Sequence, residues 1–104
     1  MLTTEMTTLA SNKPPITEIV KSVKLLADPT RVKIILAIIK AKEDYCVTEI
    51  ANEAGASQSA TSHQLTRLEA HGILKSFRNG KMICYHLVDS PTTRQLRKII
   101  RIFE

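Results

Sequence analysis

The segment Gln58-Ser59-Ala60-Thr61-Ser62-His63 strings together short, neutral hydrogen-bonding side chains. Leu65 and Leu68 follow three apart, with Thr61 four before the first, a spacing that puts these three on one hidden helix face. Ser59, His63 and Thr66 then fall on the open face, with Ser62 and Arg67 on its flanks. In a chain with 24% charged residues, an ordinary solvated face would carry Lys and Glu. This one offers paired donors and acceptors instead, a chemistry that reads polar edges rather than net charge. Ser62 beside His63 also suggests a nucleophile with its base, but adjacent helical residues diverge by about 100°, which disfavours their hydrogen bond. The second reactive pair is Cys46 and Cys84. These two read as small half-buried hydrophobes; as a redox-switching pair, if a short strand at Cys46 pairs with the strand that carries Cys84; or, with His86 beside Cys84 on one strand face, as three ligands for a metal.

The elements that must position these residues are mostly helical. Residues 1–14 are polar and Thr-rich, and read as a loose tail ahead of a single domain over 15–104. Ile16, Ile19, Val20, Val23 and Leu26 follow helical spacing. Asp28 is a good N-cap and Pro29 suits the first helical position, so a second helix starts there. It holds Val32, Ile34, Ile35, Leu36, Ile38 and Ile39, which makes it the central buried helix. Around Tyr45-Cys46-Val47 the pattern breaks into a short strand. Thr48 is placed to cap a third helix that ends at Gly55, and Ser57 to cap the fourth, which ends near Gly72 with His71 closing it. From Ile73 the period drops to two, and Asn79-Gly80 is a strong hairpin signal. On the return strand, Ile83, Tyr85 and Leu87 share one face, and Met82, Cys84 and His86 the other. Ser90 and Pro91 open a last helix with Leu96, Ile99, Ile100 and Phe103 on its apolar side.

This order is mainly α with a small β-hairpin: five helices and a two- to three-stranded sheet. Two short helices joined by a tight Gly-containing turn and followed by a basic hairpin make a winged helix-turn-helix. At 104 residues, with 43% apolar and only 4% aromatic content, the chain supports one modest aliphatic core, of a size that is often completed by dimerisation.

Charge placement points to the partner. Residues 1–54 hold seven Lys/Arg and seven Asp/Glu, whereas residues 55–104 hold eight against three, so the whole net charge of +5 lies in the second part. Such a bias suits a polyanion, either nucleic acid or an acidic membrane surface. In a helix-turn-helix the second helix enters the DNA major groove. Gln pairs there with adenine, Ser with several bases and His with guanine acceptors. Gln58, Ser59, Ser62 and His63 are therefore the residues expected to read bases, with Arg67 on a phosphate and Arg78 and Lys81 gripping the backbone from the wing. Scarce glycine, no phosphate loop and no paired carboxylates argue against an enzyme. The rival reading is a winged helix used for protein interaction without specific DNA binding. No run is long enough to span a membrane, and the start lacks a signal-peptide pattern, so a reducing cytoplasm is expected.

The segments LLADPTRVKIILAI, YCVTEIANEAGASQSATSHQLTRLEAHGIL and FRNGKMICYHL together resemble the ArsR/SmtB family of bacterial winged-helix repressors, across residues 16 to 103. The resemblance implies a homodimer paired through the first and last helices, operator binding without ligand, and release by an inducer. Members that sense soft metals carry Cys-x-Cys at the start of the third helix. Cys46 matches the first cysteine and Thr48 stands at the second. For a second type of metal site, Asp89 matches the first carboxylate, while Pro91 stands where a His is expected. The inducer therefore stays open between a metal ion at a non-standard site and thiol redox or persulfide sensing through Cys46 and Cys84.

Overall fold

The computed structural model describes residues 16–41 and 45–104, and the tail expected over 1–14 lies outside them. Eight elements follow in chain order: α1 Ile16–Leu25, α2 Pro29–Lys40, β1 Tyr45–Cys46, α3 Val47–Ala54, α4 Gln58–Ala70, β2 Leu74–Asn79, β3 Met82–Leu87 and α5 Pro91–Ile102. The described residues form five helices and a three-stranded antiparallel sheet in the order β1-β3-β2; α2, α3 and α4 lie against the sheet and α1 against α5, the winged helix-turn-helix that the element order predicts. No described helix is long and apolar enough to cross a membrane.

Local chemistry sets most boundaries. The Asp28 carboxylate accepts from the backbone N–H groups of Thr30 and Arg31 at 2.9 and 3.4 Å, and Pro29 follows at the first helical position. Ser57 Oγ accepts from the Ala60 N–H, and Ser90 Oγ from that of Thr93. Gly55 ends α3 with φ 67°, a left-handed conformation that a side chain disfavours.

Two local expectations are corrected. The cap of α3 is Cys46, not Thr48. The Glu49 carboxylate reaches back to the Cys46 N–H at 3.0 Å, and Thr48 lies exposed within the first turn. In the hairpin, Asn79 is still paired, with Met82, so the loop is Gly80-Lys81 rather than Asn79-Gly80. Gly80 takes the positive φ of 66°.

The core gathers Ile34 and Ile35 of α2, Ile50 of α3, Leu65 and Leu68 of α4 and Leu96 of α5. As the spacing predicts, Thr61, Leu65 and Leu68 form the buried stripe of α4. On β3, Tyr85 joins this core while its neighbour Cys84 is also buried, at 1% exposed, so this central strand is covered on both faces there. One part of the apolar surface stays open: Ile16, Ile19, Val20 and Val23 on α1, with Ile102 and Phe103 at the end of α5. Between the two helices, Ser22 Oγ donates to Gln95 Oε1 at 3.1 Å.

Candidate nucleic-acid interface

The candidate recognition element is α3, its Gly55 turn and α4. The buried stripe of α4 turns Gln58, Ser59, Ser62, His63 and Thr66 outward, and all five are exposed. Gln58 Nε2 donates to Thr48 Oγ1 at 3.4 Å, and the Ser59 and Ser57 hydroxyls lie 3.4 Å apart. Both contacts are long and exposed, so they yield readily to a better partner. The side chains of Ser62 and His63 have no hydrogen-bond partner among the described residues. Thr66 Oγ1 is turned back onto the Ser62 carbonyl at 3.0 Å, which takes its donor away from the open face.

The flanks of α4 are anchored differently. On one side, Glu69 accepts from both the backbone N–H and the hydroxyl of Ser76 on β2, at 3.1 and 2.9 Å, tying the helix to the wing. Burial pushes the Tyr85 phenol above its usual range. The Glu69 carboxylate adds to that. On the other side lies a contact that sequence reading missed. Arg31, 9% exposed, donates from Nε to Gln64 Oε1 at 2.9 Å and from Nη1 to the carbonyls of Lys24 and Leu25 at 3.0 and 3.4 Å. Its Nη2 lies 3.8 Å from Asp28 Oδ2, which also accepts from Gln64 Nε2 at 3.4 Å. One guanidinium thus closes the end of α1, the cap of α2 and the middle of α4 into a single network. No local pattern signals it, because Arg31 shares α2 with Lys33 and its partner Gln64 lies 33 residues away on another helix.

Arg78 and Lys81 are exposed at the hairpin end, as expected, and Arg67 is exposed on the α4 flank away from the wing. His71 closes α4 as its C-cap, with Nδ1 2.8 Å from the Arg67 carbonyl.

The two cysteines are brought together. Cys46 pairs with Cys84 in the β1–β3 register, and a disulfide joins them. The bridge fastens the cap of α3 to the central strand of the wing. Their metal-binding alternative with His86 is not assembled: His86 lies against Phe77, ring centroids 5.6 Å apart. Among the described residues, no group of three or more His, Cys, Asp or Glu side chains converges on a point that could hold a metal ion. Asp89, the remaining metal-site match, binds Arg94 Nη1 at 2.8 Å. Because the bridge spans 38 residues, its reduction is expected to lower folding stability by about 2–4 kcal/mol. Urea unfolding with and without a dithiol reductant measures this, and a Cys46→Ala/Cys84→Ala variant should show no response to the reductant.

Comparison with known proteins bears on the family and the fold. The family model of bacterial regulatory proteins of the arsR family matches residues 28–76, from the α2 cap to the first half of β2. The cadmium resistance transcriptional regulatory protein CadC of Listeria innocua is 38% identical over 64 residues, 62% of this chain and 53% of its own length. The transcriptional repressor SmtB homolog of Synechocystis is 34% identical over 74 residues, 71% of this chain and 54% of its own length. The chain thus spans about half the length of these curated relatives. The crystal structure of the AntR antimony-specific transcriptional repressor superposes with a TM-score of 0.70 at 33% identity, covering 84% of this chain and 78% of that one. With that coverage and a family match centred on the helix-turn-helix, the chain belongs to the ArsR family of bacterial regulatory proteins.

Proposed function

We propose that this protein is a sequence-specific, double-stranded DNA-binding transcriptional regulator, a repressor that binds an inverted-repeat operator as a homodimer and is released by an inducer. The observation that carries this reading is the open face of α4, neutral and hydrogen-bonding at Gln58, Ser59, Ser62 and His63 yet flanked by the cations Arg67, Arg78 and Lys81. A protein-interaction module has no need of such a division. DNA does, because base edges are read by hydrogen bonds and phosphates by charge.

The dimer is supported by the apolar stripe left open on α1 and the end of α5. Ile16, Ile102 and Phe103 are 78%, 77% and 85% exposed, on two helices that pack side by side, and exposed apolar residues gathered in this way are normally covered by a partner. A second copy of the chain covers it with two-fold symmetry and sets two α4 helices about 34 Å apart, one turn of DNA.

Two of the relatives are named for cadmium resistance and for antimony specificity. For this chain the thiol pair is the better-supported inducer site, because its two residues meet and the metal alternatives do not assemble among the described residues. A bridge from the α3 cap to β3 preorganises helix-turn-helix and wing together, so opening it should weaken operator binding.

Selection from a random duplex library tests the reading. The enriched sequences should be inverted repeats with half-sites about 10–10.5 bp apart, bound about 10³-fold or more tighter than scrambled duplex. Enrichment of no common sequence, with equal affinity for all duplexes, would instead favour the interaction module.

A further inference from the structure

A cleft opens on the side of α4 away from the wing. Its lining is Lys21, Lys24 and Leu25 of α1, Arg31 of α2, and Arg67 and His71 at the end of α4, enclosing about 140 Å³. A water needs roughly 10–15 Å³ of such space, so the cleft accommodates several waters or one tetrahedral oxyanion. Five of the six lining residues are basic and none is acidic. Lys21, Lys24 and Arg67 make no ion pair among the described residues. Asp28, a carboxylate close to this network, is already held by Arg31, by Gln64 and by the α2 cap.

The cations come from three elements and converge for reasons of spacing. Lys21 and Lys24 lie three apart on α1, and Arg67 and His71 four apart on α4, each pair on one helix face. Arg31 forms the buried back wall, its hydrogen bonds fixing α1 and α4 on either side. His71 lines the cleft with its Nδ1 held 2.8 Å from the Arg67 carbonyl. The Arg67 carbonyl only accepts, so Nδ1 must carry the proton of that hydrogen bond. Nε2 is then left as the ring's second polar atom. A concavity lined by one sign of charge concentrates its field on a counter-ion.

We propose that this cleft is a phosphate-oxyanion site and that its occupant is the DNA backbone. This rests on the DNA-binding reading and extends it. A helix of roughly 10–12 Å diameter in a major groove about 12 Å wide is bordered by both sugar-phosphate rails. The wing cations Arg78 and Lys81 serve one rail. The cleft lies on the opposite flank, beyond Gln64, where the other rail runs. α1 thereby becomes a backbone-gripping helix as well as an apolar surface.

The test uses the full-length protein, wild type and Lys21→Gln/Lys24→Gln. The exposed lysines make loss of fold avoidable, and circular dichroism checks it. Affinity for a selected duplex and for its scramble is measured against salt, and inorganic phosphate is titrated in parallel while the His71 and Arg67 amides are followed by NMR. If the cleft holds one phosphate per protomer, the variant's log–log salt slope falls by about 1.8 for a dimer, equally on both duplexes, with base preference kept. An unchanged slope in a variant that still prefers the selected duplex overturns the cleft proposal and leaves the repressor reading standing. If the wild type shows no preference at all, the repressor reading fails and the phosphate arm decides. Shifts at His71 and Arg67 in wild type only would then assign the site to a free phosphate, while no shifts overturn the site altogether.

Discussion

Replacing Arg31 with alanine is expected to destabilise the fold by about 3 kcal/mol, the largest loss from any single polar side chain described in this chain. The substitution removes charge-assisted hydrogen bonds, each worth about 1.5–3 kcal/mol when buried, and leaves the Lys24 and Leu25 carbonyls and Gln64 without their donor. These losses overlap, so they do not simply add. At about 4–8 °C per kcal/mol for a domain of this size, Tm should fall by roughly 12–24 °C at fixed protein concentration. Arg31→Lys should recover only part of this, because an ammonium cannot reach Gln64, two carbonyls and Asp28 from one planar fork. Gln64→Leu loses two hydrogen bonds, the one it accepts from Arg31 and the longer one it donates to Asp28, and should cost about 1–2 kcal/mol. The double variant should then be less destabilised than the sum of the two, since both substitutions break the same contact. A cost below 1 kcal/mol for Arg31→Ala would mean that the network decorates the fold rather than fixing α4 in it.

The second large effect concerns specificity. His63→Ala and Gln58→Ala should each cut discrimination between the selected operator and a duplex altered at the contacted base by about 1–3 kcal/mol, or about 5- to 150-fold. Binding to scrambled DNA should hardly change, because neither side chain is a cation. Arg78→Ala/Lys81→Ala should do the reverse, weakening every duplex alike and lowering the salt slope by about 0.9 per lost phosphate contact. Competition titrations across the two variant classes separate the roles. If His63→Ala weakened operator and scramble equally, the outward face of α4 would be a positioning surface, and base readout would have to reside elsewhere.

What the sequence made legible was mostly local. The caps Asp28, Ser57 and Ser90 and the Gly55 turn could be read because a cap depends on residues only two or three apart. The buried stripe of α4 was readable from helical spacing alone, and with it the outward set from Gln58 to His63. Two local readings missed for identifiable reasons. Thr48 looked like a cap by residue type, but β1 pairs with β3 through Cys46, so the strand ends there and its last residue takes the cap position. Asn79-Gly80 looked like the loop, but the ladder to Met82 extends through Asn79 and moves the loop one residue on.

Long-range contacts were legible only where topology was already known. The meeting of Cys46 and Cys84 followed from supposing that the short strand joins the wing, and β1 does pair there. The Arg31 network and the basic cleft could not be read this way. Arg31 and Gln64 lie 33 residues apart on crossing helices, and no periodicity in either helix names the other. Lys21 and Lys24 likewise read as solvated charges on an amphipathic helix until α1 is laid beside the end of α4.

The most direct measurement is an amide chemical-shift map of the ¹⁵N-labelled protein titrated with its selected duplex. Shifts should concentrate at Ser57 to Arg67 and at Arg78 to Lys81, with one dimer bound per inverted repeat. Shifts confined to α1 and α5, or a chain that stays monomeric and leaves α4 unperturbed at saturating duplex, would contradict it.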